Sequence, residues 1–250
     1  MSVAVMIWGM AAALVLLHGF TNTGASWDGV VARLPERYRA IAPDIRGHGA
    51  AGDRRPVALP AVIADVAGLA DEFELAGYSM GGRIALHVAV ALPGRVRRLT
   101  LIGASPGLAD PGERAQRRRA DERLADEVEQ MTIAEFAARW AKTPVLAGQP
   151  AEVQAAVAAQ RLRNTPAGLA AALRGLGTGA LPPLWDRLED LSLPVELVVG
   201  ERDAKFRDTA QRMAALLPDA RLHVVAQAGH AVHLEAPEAV AAIIARRRTS

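Results

Sequence analysis

Gly77-Tyr78-Ser79-Met80-Gly81-Gly82 is the stretch on which the fold reading rests. A short apolar run, Phe73 to Ala76, leads into it, and a helical pattern, Arg83 to Leu92, leads out. A serine carried between a strand and a helix on G-x-S-x-G spacing sits at the apex of a sharp turn, where its hydroxyl is lifted off the sheet edge. Such a turn strains the serine backbone and crowds its neighbours. Glycines two positions before and two after Ser79 remove the side chains that would clash there. The N–H of Met80, at the helix N-terminus, then points at the space where an oxyanion would form.

Working outward, apolar strand-like runs alternate with helical patterns on both sides of this turn. Residues 14–17 form a buried strand that ends in His18-Gly19-Phe20, and the backbone N–H of Phe20 is placed as a second oxyanion donor. His18 reads as a turn-stabilising histidine rather than a catalytic one. Ser26 reads as the cap of a short helix. A strand at 38–42 runs into Pro43-Asp44-Ile45-Arg46-Gly47-His48-Gly49, read as a structural loop. An amphipathic helix over 59–71 precedes the elbow, and a strand over 96–102 follows it. Strands resume at 194–199 and 221–225, and a helix over 237–247 closes the chain, with Arg246-Arg247-Arg248 as a solvated helix end. Between residues 110 and 183 there is no strand pattern. Short helices punctuated near Thr132, Thr143, Pro150 and Thr165 make this a helical insertion over the elbow. The expectation is an α/β fold with a mostly parallel central sheet, helices on both faces and a helical cap. Residues 1–107 and 184–250 would form the core and 108–183 the cap.

Two further residues complete a constellation. Asp203 lies just past the 194–199 strand, and His230 lies in the loop beyond 221–225. Ser79, Asp203 and His230 thus stand in the chain order of a serine triad, each at a strand's carboxyl end. In that arrangement His230 accepts the Ser79 proton, and Asp203 holds the imidazole tautomer and stabilises its cation. His233 has metal-pair spacing with His230 but reads as packing, because nothing else supplies ligands; no metal site is expected.

Composition removes other classes. The chain has no cysteine, which excludes disulfides, a thiolate nucleophile and zinc–thiolate centres, and fits a cytoplasmic protein. Its 29 basic and 27 acidic residues leave a formal charge of +2, so nothing in the whole chain argues for a nucleic-acid partner. The apolar stretch from Val3 to Leu17 lacks a basic flank and is shorter than a membrane span. It reads as two buried strands, 3–8 and 13–17, with a signal peptide as the alternative. The insertion is rich in arginine, and Arg83 directly follows the elbow glycines. Arginine suits bidentate carboxylate recognition, so inward-facing members would select a small polyanion such as a di- or tricarboxylate.

The chain resembles the 2-succinyl-6-hydroxy-2,4-cyclohexadiene-1-carboxylate synthases of menaquinone biosynthesis, within the α/β-hydrolase superfamily. The resemblance runs from His18 to Pro237. It is carried by Gly77-Tyr78-Ser79-Met80-Gly81-Gly82-Arg83, Ala104-Ser105-Pro106-Gly107-Leu108, Leu173-Arg174-Gly175-Leu176-Gly177-Thr178-Gly179, Gly200-Glu201-Arg202-Asp203-Ala204-Lys205-Phe206 and Gly229-His230-Ala231-Val232-His233. It implies a carbon–oxygen lyase without a cofactor, eliminating pyruvate from 2-succinyl-5-enolpyruvyl-6-hydroxy-3-cyclohexene-1-carboxylate. Ser79 would contact the ring proton, with Phe20 and Met80 as the oxyanion hole. The family's substrate-binding positions fall on Tyr78, Arg83, Arg117, Trp140 and Arg161, with Arg118 and Arg119 leaving the register of Arg117 open. Arg46 departs from the family pattern, standing where related loops carry proline. The implied partner is a small polycarboxylate, with no membrane, and the chain is expected as a monomer or small homo-oligomer. A serine hydrolase of acidic esters or carbon–carbon bonds would share the triad, and a non-catalytic ligand-binding module would share the scaffold.

Overall fold

Leu14 to Leu17 are apolar without alternation, and the strand they belong to is covered on both faces. This strand, β1 (Ala12–Leu17), sends Val15 and Leu17 into one core and Leu14 and Leu16 into another. Unbroken apolar runs of this kind suit parallel sheets sandwiched between helices. The computed structural model describes residues 11–143, 146 and 148–246. The expected strand at 3–8 lies outside the described residues.

After β1 come α1 (Asp28–Val31), β2 (Tyr38–Ile41), α2 (Leu59–Ala67), β3 (Phe73–Tyr78), α3 (Met80–Ala91) and β4 (Val96–Ile102). Among the described residues four helices follow without a strand: α4 (Pro111–Glu129), α5 (Ile133–Trp140), α6 (Ala151–Arg161) and α7 (Pro166–Leu176). The chain then returns to the sheet with β5 (Val195–Gly200), α8 (Ala204–Ala214), β6 (Ala220–Val225), α9 (Val232–Glu235) and α10 (Pro237–Ala245). Among the described residues all strand pairings are parallel, in the order β2-β1-β3-β4-β5-β6. Val62, Ile84, Leu86 and Met213 from α2, α3 and α8 cover one face, and Val30, Val232, Val240 and Ile244 from α1, α9 and α10 cover the other. The chain therefore has the α/β-hydrolase architecture with a helical insertion between β4 and β5.

The helix punctuation in the insertion is side-chain chemistry. Asp110 accepts from the Glu113 N–H at 2.7 Å before α4, and Thr132 and Glu135 form a capping box at α5. Thr165 Oγ1 accepts from the Gly168 N–H at 3.1 Å, and Pro166 takes the first helical position of α7. We expect Thr165→Ala to remove about 1 kcal/mol of stability. A thermal melt should fall by roughly 2–4 °C with little change in kcat/KM. Phe136, Val128, Leu169 and Leu173 pack as the insertion's own core, with Phe20 from the sheet domain against it. On its outer side Arg174 of α7 reaches Glu122, Asp126 and Glu129 of α4 at 2.8, 2.6 and 2.7 Å. This arginine thus clamps α7 to α4 on the outer side of the insertion.

Three local expectations change. Gly68 stops α2 after Ala67, four residues short of the expected end. Ser26 is not a helix cap: it lies inside a 3₁₀ turn, its N–H bonded to Thr23 O at 3.0 Å, and its hydroxyl has no protein partner. α10 ends at Ala245, because Arg246 takes extended backbone, and residues 247–250 lie outside the described residues. Arg46, the departure from family pattern, ties its loop to α2 through a two-pronged pair with Asp65 at 2.6 and 3.0 Å. Among the described residues no helix is long and apolar enough to cross a membrane.

Candidate active site

The elbow geometry follows from backbone crowding. Ser79 stands at φ +52°, ψ −109°, outside the regions an L-residue prefers, and its N–H is held by Ile102 O of β4 at 2.8 Å. A Cβ on Gly77 would lie 2.4 Å from Gly81 O, and one on Gly81 would lie 2.2 Å from Leu17 O. Only glycine lets β1, β3 and α3 converge this tightly. Ser79 is thereby aimed above the carboxyl ends of the strands.

The structure brings the three separated residues together. His230 Nε2 lies 3.1 Å from Ser79 Oγ, and its Nδ1 lies 2.6 Å from Asp203 Oδ2. With the proton on Nδ1 donated to Asp203, Nε2 is free to accept from the serine hydroxyl. Asp203 is set by β5 and α8: it caps α8, its Oδ1 accepting from the Phe206 N–H at 3.4 Å. The Phe206 ring packs on the imidazole with centroids 4.5 Å apart, and Tyr78 packs at 5.3 Å. The side chains of His230 and Asp203 are 4% and 9% exposed, so their interaction is poorly screened by water.

Phe20 and Met80 border the same cavity as Ser79. Met80 opens α3, so its N–H is one of the helix's first four donors, which have no intrahelical acceptor. His18 fixes the turn before Phe20. Its Nδ1 lies 2.9 Å from Gly19 O and its Nε2 accepts from the Ile45 N–H at 2.9 Å. Asp44 accepts from the N–H groups of Gly24 and Ala50, both at 2.7 Å. Both residues hold loops in place, as their sequence context suggested.

Two chambers meet at Ser79 and His230, with Phe20 and Trp140 on the wall of each. The larger, about 540 Å³, runs between the insertion and α8 and carries Arg83 and Arg117. The smaller, about 50 Å³, carries Tyr78 and Arg161. Of the three adjacent arginines only Arg117 lines a chamber; Arg118 and Arg119 line neither. Arg117 is paired to Asp121 at 2.7 Å. Arg83 and Arg161 differ: they are 8% and 4% exposed, and in each the Nε has no partner. Among the described residues neither has a carboxylate at salt-bridge distance. Burial, with Arg117 nearby, lowers the Arg83 pKa to about 10, and burial lowers that of Arg161. Buried guanidinium groups without a counter-charge are costly in an empty site and are satisfied by an anion. The arrangement can therefore activate a hydroxyl as a base and hold a carboxylate in each of the two chambers that meet at it. Sequence reading did not single out Asn22, Gln149, Trp185 or Lys205, which also line the chambers. No spacing marks them; they converge only in three dimensions.

His233 packs its ring on Tyr78 and Trp27, with centroids 4.2 and 4.8 Å away. Among the described residues no group of three or more metal-ligating side chains converges. Burial lowers the pKa of His18 to about 4 and of His48 and His233 to about 3. These histidines are neutral when folded and protonate once unfolded below about pH 6.5, so the unfolded state binds more protons between about pH 6.5 and 4. Stability is full above that window and falls as pH drops through it. Thermal melts from pH 7.5 to 5 should show a steadily decreasing Tm; a flat profile would contradict the buried, neutral assignment.

This fold and this Ser–His–Asp geometry define a class, and a family model described as "Alpha/beta hydrolase family" matches residues 14–243. A Klebsiella pneumoniae protein named 2-succinyl-6-hydroxy-2,4-cyclohexadiene-1-carboxylate synthase is 33% identical over 93% of this chain and 92% of its own. A Bacillus subtilis protein provisionally given the same name is 37% identical over 95% of this chain and 90% of its own. The solved structure of MenH from S. aureus superimposes with a TM-score of 0.89 at 30% identity, covering 94% of this chain and 92% of that one. The chain belongs to the α/β-hydrolase family and, within it, to the family of these synthases.

Proposed function

We propose that this chain eliminates pyruvate from 2-succinyl-5-enolpyruvyl-6-hydroxy-3-cyclohexene-1-carboxylate, giving 2-succinyl-6-hydroxy-2,4-cyclohexadiene-1-carboxylate. The observation that carries the reading is the pair of buried cations, Arg83 and Arg161, which have no carboxylate partner among the described residues and line two separate chambers that both reach Ser79 and His230. A neutral ester would leave both unsatisfied; a substrate with carboxylates on ring, side arm and enolpyruvyl group would not.

Ser79 Oγ takes the proton from ring carbon 2, which is acidified by the neighbouring succinyl ketone, as its own proton passes to His230 Nε2. Asp203 stabilises the imidazolium. The freed electron pair forms the 2,3 double bond, the 3,4 double bond moves to 4,5, and the bond from carbon 5 to the enolpyruvyl oxygen breaks. The departing enolpyruvate takes up the proton carried on the His230 imidazolium, which restores the triad, and tautomerises to pyruvate. The N–H groups of Phe20 and Met80 stabilise the enolate oxygen of the succinyl ketone while the charge is there. Arg83, Arg117 and Arg161 bind carboxylates, and Tyr78 and Trp140 shape the walls around the ring.

The test is pyruvate release from the enolpyruvyl substrate, generated in place by the enzyme that forms it, with the spontaneous rate subtracted. Release well above background supports the reading. Release at background, with turnover of acidic esters or diketones instead, would move the chain to the hydrolase reading.

A further inference from the structure

We infer that Glu235 is a positioning residue for His230, acting as a clip on the backbone that carries the imidazole. His230 sits in a loop between β6 and α9 with no strand or helix to hold it. The carboxylate of Glu235, the last residue of α9, turns back over this loop and accepts from the two N–H groups that flank His230. Gly229 donates to Oε2 at 2.7 Å and Ala231 donates to Oε1 at 3.2 Å. The return path is short because the N–H of Glu235 is itself bonded to Ala231 O at 3.0 Å, closing a ring from Ala231 through the one-turn helix. On the other side, the loop is tied to the Asp203 strand end. Arg202 donates to Ala228 O at 2.9 Å, and Gln227 donates to Glu201 Oε2 at 2.9 Å. Asp203 orients the ring of His230, whereas Glu235 sets where its Cα stands.

The distinction matters because the Ser79 contact, at 3.1 Å, has little tolerance. Bonds from N–H groups to a carboxylate are the stronger, charge-assisted kind, and two on one carboxylate fix angle as well as distance. A shift of about 1 Å in a general base can lower a rate by about a hundredfold. Glu235→Gln keeps the shape of the side chain but replaces one acceptor oxygen with an amide that can only donate. One flanking N–H then loses its partner.

The inference rests on the triad reading above. Glu235→Gln is expected to lower kcat for pyruvate release about thirtyfold while KM stays within about twofold. The discriminating readout is the downfield proton resonance of His230 Nδ1–H, bonded to Asp203. It should broaden or disappear in Glu235→Gln while the circular dichroism spectrum is unchanged. A wild-type rate, or a lost rate with that resonance intact, overturns the inference. Should the variant fail to fold, amide exchange in the wild-type protein decides: Gly229 and Ala231 should be strongly protected, and exchange at exposed-loop rates overturns the clip. Failure of the triad reading itself looks different, as pyruvate release that survives Ser79→Ala.

Discussion

Ser79→Ala is expected to release pyruvate about 10⁴-fold more slowly than the wild type, a loss of about 5 kcal/mol of transition-state stabilisation. Two effects combine. The hydroxyl that meets the ring proton is gone, and His230 Nε2 faces a gap that is too wide for direct proton transfer. The residual rate comes from the arginines and the oxyanion donors, which still align the substrate and stabilise the enolate. KM should change little, because the carboxylate contacts persist. Ser79→Gly removes the hydroxyl together with the Cβ held at φ +52°, so it should be equally inactive and melt no lower than the wild type. A pyruvate-coupled assay with both variants checks this. Activity in either would assign the proton abstraction elsewhere, with His230 acting directly as the nearest alternative.

Arg83→Met is expected to move activity and stability in opposite directions. In the free protein this guanidinium is buried without a carboxylate partner among the described residues; its contact with Leu176 O, at 3.5 Å, is long. Replacing it with an apolar side chain of similar length removes an uncompensated charge from the core, which should raise stability by about 1 kcal/mol. The same change removes a charge-assisted contact to a substrate carboxylate. The expected loss in kcat/KM is on the order of 10²–10³ for the polyanion. Turnover of a neutral nitrophenyl ester, if present, should be nearly unaffected. A melt and two kinetic assays on one variant therefore separate a substrate clamp from a structural arginine. A lower Tm with equal loss on both substrates would mean that Arg83 holds the fold rather than the ligand.

Much of this was legible in the sequence because backbone geometry left few choices. The glycines around Ser79 are demanded by three elements that converge to near contact, so they announce the turn wherever it occurs. Asp203 and His230 follow strand ends for the same topological reason. In the insertion, the breaks read near Thr132, Pro150 and Thr165 fall at the starts of α5, α6 and α7. What stayed hidden was anything decided by facing direction. Arg117, Arg118 and Arg119 are equivalent as letters, and only the pitch of α4 selects the first. Ser26 failed as a cap because it lies inside the 3₁₀ turn Gly24–Trp27, whose N-cap position falls on Thr23. Glu235 passed unnoticed because it serves main-chain groups, and no pairing of side-chain types marks it. Asn22 and Gln149 reach the smaller chamber from segments far apart in the chain.

The triad stands on the ends of β3, β5 and β6, whereas Arg117, Trp140 and Arg161 stand on helices of the insertion. Arg83, on α3, is a chamber-lining cation carried by the same body as the serine, as are Lys205 and Arg212 on α8. Chemistry and selectivity are thus inherited on separate segments of the gene. Mutational drift in residues 111–176 can re-tailor what is recognised without disturbing proton transfer. A descendant that kept α3 but lost Arg117 and Arg161 would still carry, in Arg83, a trace of its acidic ancestral substrate.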